Sequence, residues 1–281
     1  MKIVLAVDGS KHARWATEWV ARMTFATSPR VTALHVVDLA SLRAPFVVQP
    51  MGVIEPLIQA EARKLESQAK RVVADTKTLL SSLGVKGRVI IEKGPVAPTI
   101  LKHVAGRRSL VVIGSRGLDA LDRFMLGSVS TKVTLHAPCS VLVVKQPPRL
   151  VRQVLLATDG SKASELALQF LLREVRLPDA KRDIDVTVMQ VMPSFANLEI
   201  KEAWRALVHQ YAEKLAKAGY RVKELSRPGN PAEEIIRAAQ RNKTDLIVAG
   251  AKGLGAMGRF FLGSVSTKLV EHSACSVLVV R

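Results

Sequence analysis

Short apolar runs alternate along the chain with longer stretches in which apolar residues recur at helical spacing. The run from Lys2 to Ser10 (KIVLAVDGS) ends in Asp-Gly-Ser, which predicts a buried strand that turns at once into a helix over 11–26. Gln153 to Ser161 (QVLLATDGS) repeats that pattern at an offset of 151 and leads into a helix expected over 162–175, with Ser10 and Ser161 as N-caps. Further strand pairs are predicted at Val31 to Val37 and Val186 to Met192, then Arg88 to Glu92 and Arg221 to Leu225. A fourth pair lies at Leu110 to Gly114 and Leu246 to Gly250, and a fifth at Ser140 to Val144 and Ser276 to Val280. Between the second and third strands the first copy is longer, running from Asp38 to Ser82 and helical by pattern from Glu55. The second covers the same ground from Pro193 to Ala218.

The two halves are copies. Arg123 to Lys145 matches Arg259 to Arg281 at 16 of 23 positions, so whatever chemistry the chain performs is built twice. Strand and helix alternate throughout each copy, which predicts two tandem Rossmann-like α/β domains, each a five-stranded parallel sheet flanked by helices. The expected domains are 1–146 and 149–281, joined at the stiff piece Gln146-Pro147-Pro148-Arg149 and closely apposed.

Composition narrows the class. Nearly half of the residues, 48%, are apolar, as a sheet covered on both faces requires. No apolar run nears the ~20 residues that span a bilayer, and Asp8 comes too early for a signal peptide, so a cytoplasmic protein is expected. The net charge is +18, of which residues 1–148 carry +11 and residues 149–281 the remaining +7. Spread in this way, without a basic block and with only 4% aromatics, the charge suits attraction to small phosphates better than a dedicated nucleic-acid surface. Cys139 and Cys275 occupy equivalent places and do not form a disulfide framework.

In open parallel sheets, ligands sit beyond the carboxyl ends of the strands. Three elements of each copy reach that edge: Asp8 or Asp159; the loop Gly114-Ser115-Arg116-Gly117 or Gly250-Ala251-Lys252-Gly253; and the helix start Gly127-Ser128-Val129-Ser130 or Gly263-Ser264-Val265-Ser266. Glycines allow close backbone approach and positive φ, a helix N-terminus offers unpaired N–H groups to an anion, and the serines add hydroxyl donors. An Asp on the opposite lip can accept from a ribose or base. Each element alone also reads as an ordinary cap or tight turn.

The combination resembles the universal stress protein family in its tandem form, over essentially the whole chain. The family's signature of Gly, two residues, Gly, nine residues, then Gly with Ser or Thr stands here as Gly114, Gly117, Gly127, Ser128 and as Gly250, Gly253, Gly263, Ser264. The resemblance implies ATP, with or without Mg²⁺, at two sites. Asp8 and Val36 would hold the ribose and adenine side, Gly114 would lie near the ribose, and Gly117, Gly127, Ser128, Val129 and Ser130 would surround the phosphates. Asp159, Val191, Gly250, Gly253, Gly263, Ser264, Val265 and Ser266 would do the same in the second copy. His35, beside Val36, is Gln190 in that copy. The resemblance also lets the last strands of the two units meet across a pseudo-twofold axis, an intramolecular pseudo-dimer that in turn could pair into a homodimer.

Other motifs carry less. Gly253-Leu254-Gly255-Ala256-Met257-Gly258 spells a dinucleotide fingerprint, but follows the fourth strand and lacks two glycines in the other copy. There is no phosphate loop of the G-x-x-x-x-G-K-[ST] type, nucleophile elbow or zincin motif. No catalytic or metal-ligating residue is therefore assigned. Arg123 and Arg259 could neutralise phosphate charge or be solvated, and His136 and His272 read as packing or surface residues. The expected function is a stress-response protein in which ATP occupancy sets conformation or the binding of an unidentified protein partner, with at most slow hydrolysis. The alternatives are an enzyme of the adenine nucleotide α-hydrolase type and a basic polyanion-binding or chaperone-like protein.

Overall fold

The computed structural model describes residues 1–25, 27–40, 51–106, 108–118, 126–148, 151–176, 184–193, 198–253 and 262–281. The first half contributes β1 (Lys2–Ala6), α1 (Lys11–Arg22), β2 (Thr24–Phe25), β3 (Arg30–Val37), α2 (Met51–Ser82), β4 (Gly87–Lys93), α3 (Val96–Lys102), β5 (Ser109–Gly114), α4 (Ser128–His136) and β6 (Ser140–Val144). The second contributes β7 (Gln153–Ala157), α5 (Lys162–Gln169), β8 (Val175–Arg176), β9 (Asp185–Met192), α6 (Leu198–Lys217), β10 (Arg221–Pro228), α7 (Pro231–Arg241), β11 (Leu246–Gly250), α8 (Ser264–His272) and β12 (Ser276–Val280). Among the described residues no helix is long and apolar enough to cross a membrane.

Ten strands form one sheet in the order β10-β9-β7-β11-β12-β6-β5-β1-β3-β4. Every neighbouring pair is parallel except β6 and β12, which run antiparallel with Leu278 opposite Leu142. Each half is thus a five-stranded parallel sheet with its switch in strand order between its first and fourth strands. The central strands read as unbroken apolar runs because helices cover both faces; all five residues of β6 and of β12 are buried. One face buries Ile3, Trp19, Leu142, Phe170, Tyr211 and Leu278 in a layer that passes without interruption from half to half. The opposite face buries Val4, Leu34, Ile100, Val133, Ile247 and Leu269.

Local chemistry sets the helix starts. The Ser10 hydroxyl accepts from the Ala13 N–H at 3.2 Å, and the Ser161 hydroxyl accepts from the Ser164 N–H at 3.2 Å. The ends differ from the sequence expectation. Helix α1 stops at Arg22, because the chain then enters β2 and pairs antiparallel with β8 of the other half. Helix α5 widens into a π-helical turn over Phe170–Glu174 before reaching β8. Pairing between the halves overrides local helical pattern at both places.

The antiparallel seam keeps the cysteines apart. With Leu278 opposite Leu142, Cys139 faces Arg281 and Cys275 faces Lys145, at opposite ends of the seam. Both are free and buried, and burial pushes each thiol up to about 11. Iodoacetamide at pH 8 should therefore leave the native protein unlabelled while the urea-unfolded chain takes two groups, read by mass spectrometry. One label on the native protein would show that a seam end is open.

Candidate functional site

The carboxyl ends of β1, β3 and β5, with the starts of α3 and α4, enclose a cleft of about 300 Å³. All eight residues singled out in the first copy line it: Asp8, Val36, Gly114, Gly117, Gly127, Ser128, Val129 and Ser130. Its apolar wall is Leu34, Val36, Val96 and Ile100, and its polar end is Asp8, Arg116 and the start of α4.

Asp8 is held by its own turn. Its Oδ1 accepts from the Ser10 N–H at 2.9 Å, while Oδ2 lies over Gly117, where an added Cβ would stand 2.7 Å away. The Ser10 hydroxyl that caps α1 also donates to the Arg116 carbonyl at 3.3 Å, tying the glycine loop to the first strand. The loop is tied from the other side by the Ser115 N–H donating to Val144 O at 2.7 Å and the Gly127 N–H donating to Ser115 O at 2.8 Å.

Helix α4 opens on Gly127, and among the described residues no side chain caps it. Its first N–H groups are therefore turned to the cleft without a side-chain acceptor, which is the arrangement that receives an anion. Ser128 is exposed at the mouth. Ser130 departs from expectation: its buried hydroxyl donates to the Gly114 carbonyl at 2.7 Å. That bond commits the one hydroxyl hydrogen to the end of β5 and removes Ser130 from the set of side-chain donors to a ligand.

The glycines also act differently from expectation. None of Gly114, Gly117, Gly127, Gly250, Gly253 and Gly263 has positive φ. Gly114 is a packing residue, since a Cβ there would lie 2.7 Å from the backbone of His12 in α1. Gly117 keeps space beside the Asp8 carboxylate.

The second copy repeats the framework. The Ser161 N–H donates to Asp159 Oδ1 at 3.0 Å, the Ser161 hydroxyl donates to Lys252 O at 3.3 Å, and the Ser266 hydroxyl donates to Gly250 O at 2.7 Å. The Gly263 N–H donates to Ala251 O at 2.7 Å. A Cβ on Gly253 would lie 2.6 Å from Asp159 Oδ2, and α8 again opens on an uncapped glycine, placing Ser264 and Val265 in its first turn. Val191, like Val36, is on the cleft-side face of its strand. His35 and Gln190 are one residue earlier and so face the other way. The His35 ring Nδ1 is 2.8 Å from Val7 O, whereas both amide atoms of Gln190 are buried without a hydrogen-bond partner among the described residues.

Arg116 is the cleft residue that pattern reading passed over in favour of Arg123 and Arg259, which lie outside the described residues. Its Nε is buried and has no hydrogen-bond partner among the described residues, so one donor of the guanidinium remains to be satisfied. The signal was present in the sequence: Arg116 stands inside the glycine loop, and its counterpart Lys252 is also a cation. Nearby, burial first, then the charges of Arg116 and Lys11, hold the His12 imidazole below its ordinary value, with Asp8 pulling the other way. His136 and His272 end their helices exposed to solvent. Gly255 and Gly258 of the fingerprint-like stretch lie outside the described residues.

The sequence profile of the universal stress protein family matches the chain twice, over residues 1–145 and 151–281. A universal stress protein of Mycolicibacterium smegmatis is 30% identical, with 99% of this chain and 96% of that protein covered. One from Mycobacterium tuberculosis is 27% identical over 99% of this chain and 94% of its own length. Among solved structures, a universal stress protein from Archaeoglobus fulgidus shares the fold, with a TM-score of 0.69 at 20% identity over 100% of this chain and 98% of that one.

Proposed function

This chain belongs to the universal stress protein family, and we propose that it binds ATP at two similar sites, occupancy setting its conformation or its affinity for a protein partner. The observation that carries the reading is the meeting, in one cleft, of an uncapped helix start, an unsatisfied arginine donor and a carboxylate, opposite an apolar wall. These groups fit the parts of a nucleotide. Leu34, Val36, Val96 and Ile100 would sandwich a flat base, Asp8 would accept from ribose hydroxyls, and the N–H groups of α4 with Arg116 would hold phosphates. ATP supplies a charged, rigidly recognisable ligand; Mg²⁺, if it enters, would come with the phosphates.

The proposal includes at most slow hydrolysis. Among the described residues lining the cleft, Asp8 is the one carboxylate, and its Oδ1 already accepts the Ser10 N–H. A general base must reach the proton it removes, and what Asp8 has left for that task is its second oxygen, which lies over Gly117.

The test is equilibrium binding of labelled ATP. Wild type should bind two molecules per chain. Gly127→Val and Gly263→Val, which crowd Ser115 and Ala251 at 3.3 and 3.4 Å, should each weaken one site at least tenfold, a change of about 1.4 kcal/mol. Wild-type protein that leaves ATP unbound at millimolar concentration would sink the reading.

A further inference from the structure

Each nucleotide helix has a second end, and the other half of the chain holds it. Arg281, directly after β12, donates from its guanidinium to Thr134 O at 2.6 Å, Leu135 O at 3.4 Å and Cys139 O at 3.2 Å, all at the carboxyl end of α4 and just beyond it. Lys145, directly after β6, donates to Ser273 O at 2.6 Å and Glu271 O at 3.2 Å, at the carboxyl end of α8. The backbone N–H groups of the same two residues donate to Ser140 and Ser276 hydroxyls, each at 3.3 Å, across the seam. The antiparallel register causes the crossing, because it brings the residue after each strand beside the end of the opposite helix.

Cations at a helix carboxyl end stabilise it against its own dipole and satisfy carbonyls that have no partner within the helix. Both helices are nine residues long, about 13 Å from end to end, so a shift at one end moves the other. We infer that Arg281 and Lys145 are positioning residues acting across the seam, each fixing the phosphate-facing helix of the opposite half, so that the two clefts form one coupled system. The inference rests on the nucleotide reading above and adds to it a route between the sites.

The two caps are not equivalent. Burial pushes Lys145 down to about 8. The groups facing it are Cys275 at the start of β12, Glu271 of α8, and Arg116 of the first cleft, whose positive charge lowers Lys145 further. Burial lowers Arg281 as well, but a guanidinium starts so much higher that it stays charged between pH 7 and pH 9. Raising the pH through about 8 therefore discharges the α8 cap and leaves the α4 cap intact. The fold itself does not weaken in that window: the folded pKa lies below the ordinary 10.5, so between the two values the unfolded chain binds more protons and stability rises with pH. An anion in the first cleft would offset Arg116 and return charge to Lys145, so occupancy of the first site should favour the second.

The experiment uses full-length single-site proteins: Gly263→Val, which retains the first cleft, and Gly127→Val, which retains the second. In the second-cleft protein, Lys145→Met should weaken ATP binding roughly fivefold, and Lys145→Arg should restore it. That protein should also lose affinity between pH 7 and pH 9, and Lys145→Arg should abolish the loss. In the first-cleft protein Lys145→Met should weaken binding by no more than about twofold, through the loss of its charge near Arg116, while Arg281→Met should weaken it roughly fivefold. Effects confined to the residue's own half, or equal in both, would overturn the inference. Amide exchange without ligand keeps it distinct from the nucleotide reading: Lys145→Met should deprotect the amides of Leu269 to His272, and Arg281→Met those of Val133 to His136. If no protein binds ATP, the nucleotide reading fails alone and exchange decides the crossing. Unchanged protection in both variants would remove it.

Discussion

Gly250→Val is expected to lower the unfolding free energy by roughly 3 kcal/mol or more, at the upper end of the cost of overpacking. A Cβ at this position would stand 2.5 Å from the carbonyl carbon and 2.7 Å from the carbonyl oxygen of Ala163. Those are backbone atoms in the first turn of α5, so no rotamer change relieves the contact, and the helix must leave the sheet. Gly253→Val, three residues on in the same signature, should behave differently. Its Cβ would meet the Asp159 carboxylate at 2.6 Å, the far end of a side chain that can swing aside. Stability should change by less than about 1 kcal/mol, while ATP binding at that site is lost. Urea denaturation of both variants, with binding measured at low urea, checks the contrast. Equal stability losses would mean that both glycines serve packing; a stable Gly250→Val protein would mean that α5 does not sit as described.

That contrast marks how far the sequence could be read. The spacing of Gly114, Gly117 and Gly127 was legible, and so was the expectation that they gather near Asp8, because a strand's carboxyl end is where a parallel sheet presents its loops. Which glycine does what was not legible. Gly114 answers to His12 and Gly250 to Ala163, partners distant in sequence, and only folding brings them within a bond's length of conflict. Ser130 is a similar case. Its place in a Ser-rich helix start suggests a donor to phosphate, yet its hydroxyl donates to the Gly114 carbonyl at the end of β5.

The fold was read more fully than the site. Apolar runs located the five long strands of each half to within a residue or two, the central ones because a doubly covered strand shows apolar positions throughout; the exposed edge strand β10 continues to Pro228, three residues past the expected end at Leu225. The exceptions are β2 and β8, two residues each. Nothing local distinguishes them from a helix end; they exist because the halves pack together and offer each other a strand partner. The crossed cations are illegible in the sequence for the same reason. Lys145 and Arg281 are matched positions in the repeat, but their partners at Ser273 and Thr134 belong to the opposite copies.

Leu278→Asp should cost at least about 4 kcal/mol, because it places a carboxylate where no group can pair with it. Leu278 and Leu142 face each other at the centre of the seam, both fully buried, and both belong to the apolar layer that runs through the two halves. A charge introduced there must either force water into the seam or part the strands. Since the layer is shared, wild type should unfold in urea as one transition, and Leu278→Asp should split it into two as each half loses the support of the other. Leu278→Met, which conserves volume, should stay within about 1.5 kcal/mol of wild type and retain a single transition, separating the charge from the mere change of side chain. A loss below about 1 kcal/mol for Leu278→Asp would mean that the strands already part in solution. The crossed caps would then have no rigid frame through which one cleft could act on the other, since Arg281 and Lys145 reach the opposite helices only while β6 and β12 remain paired.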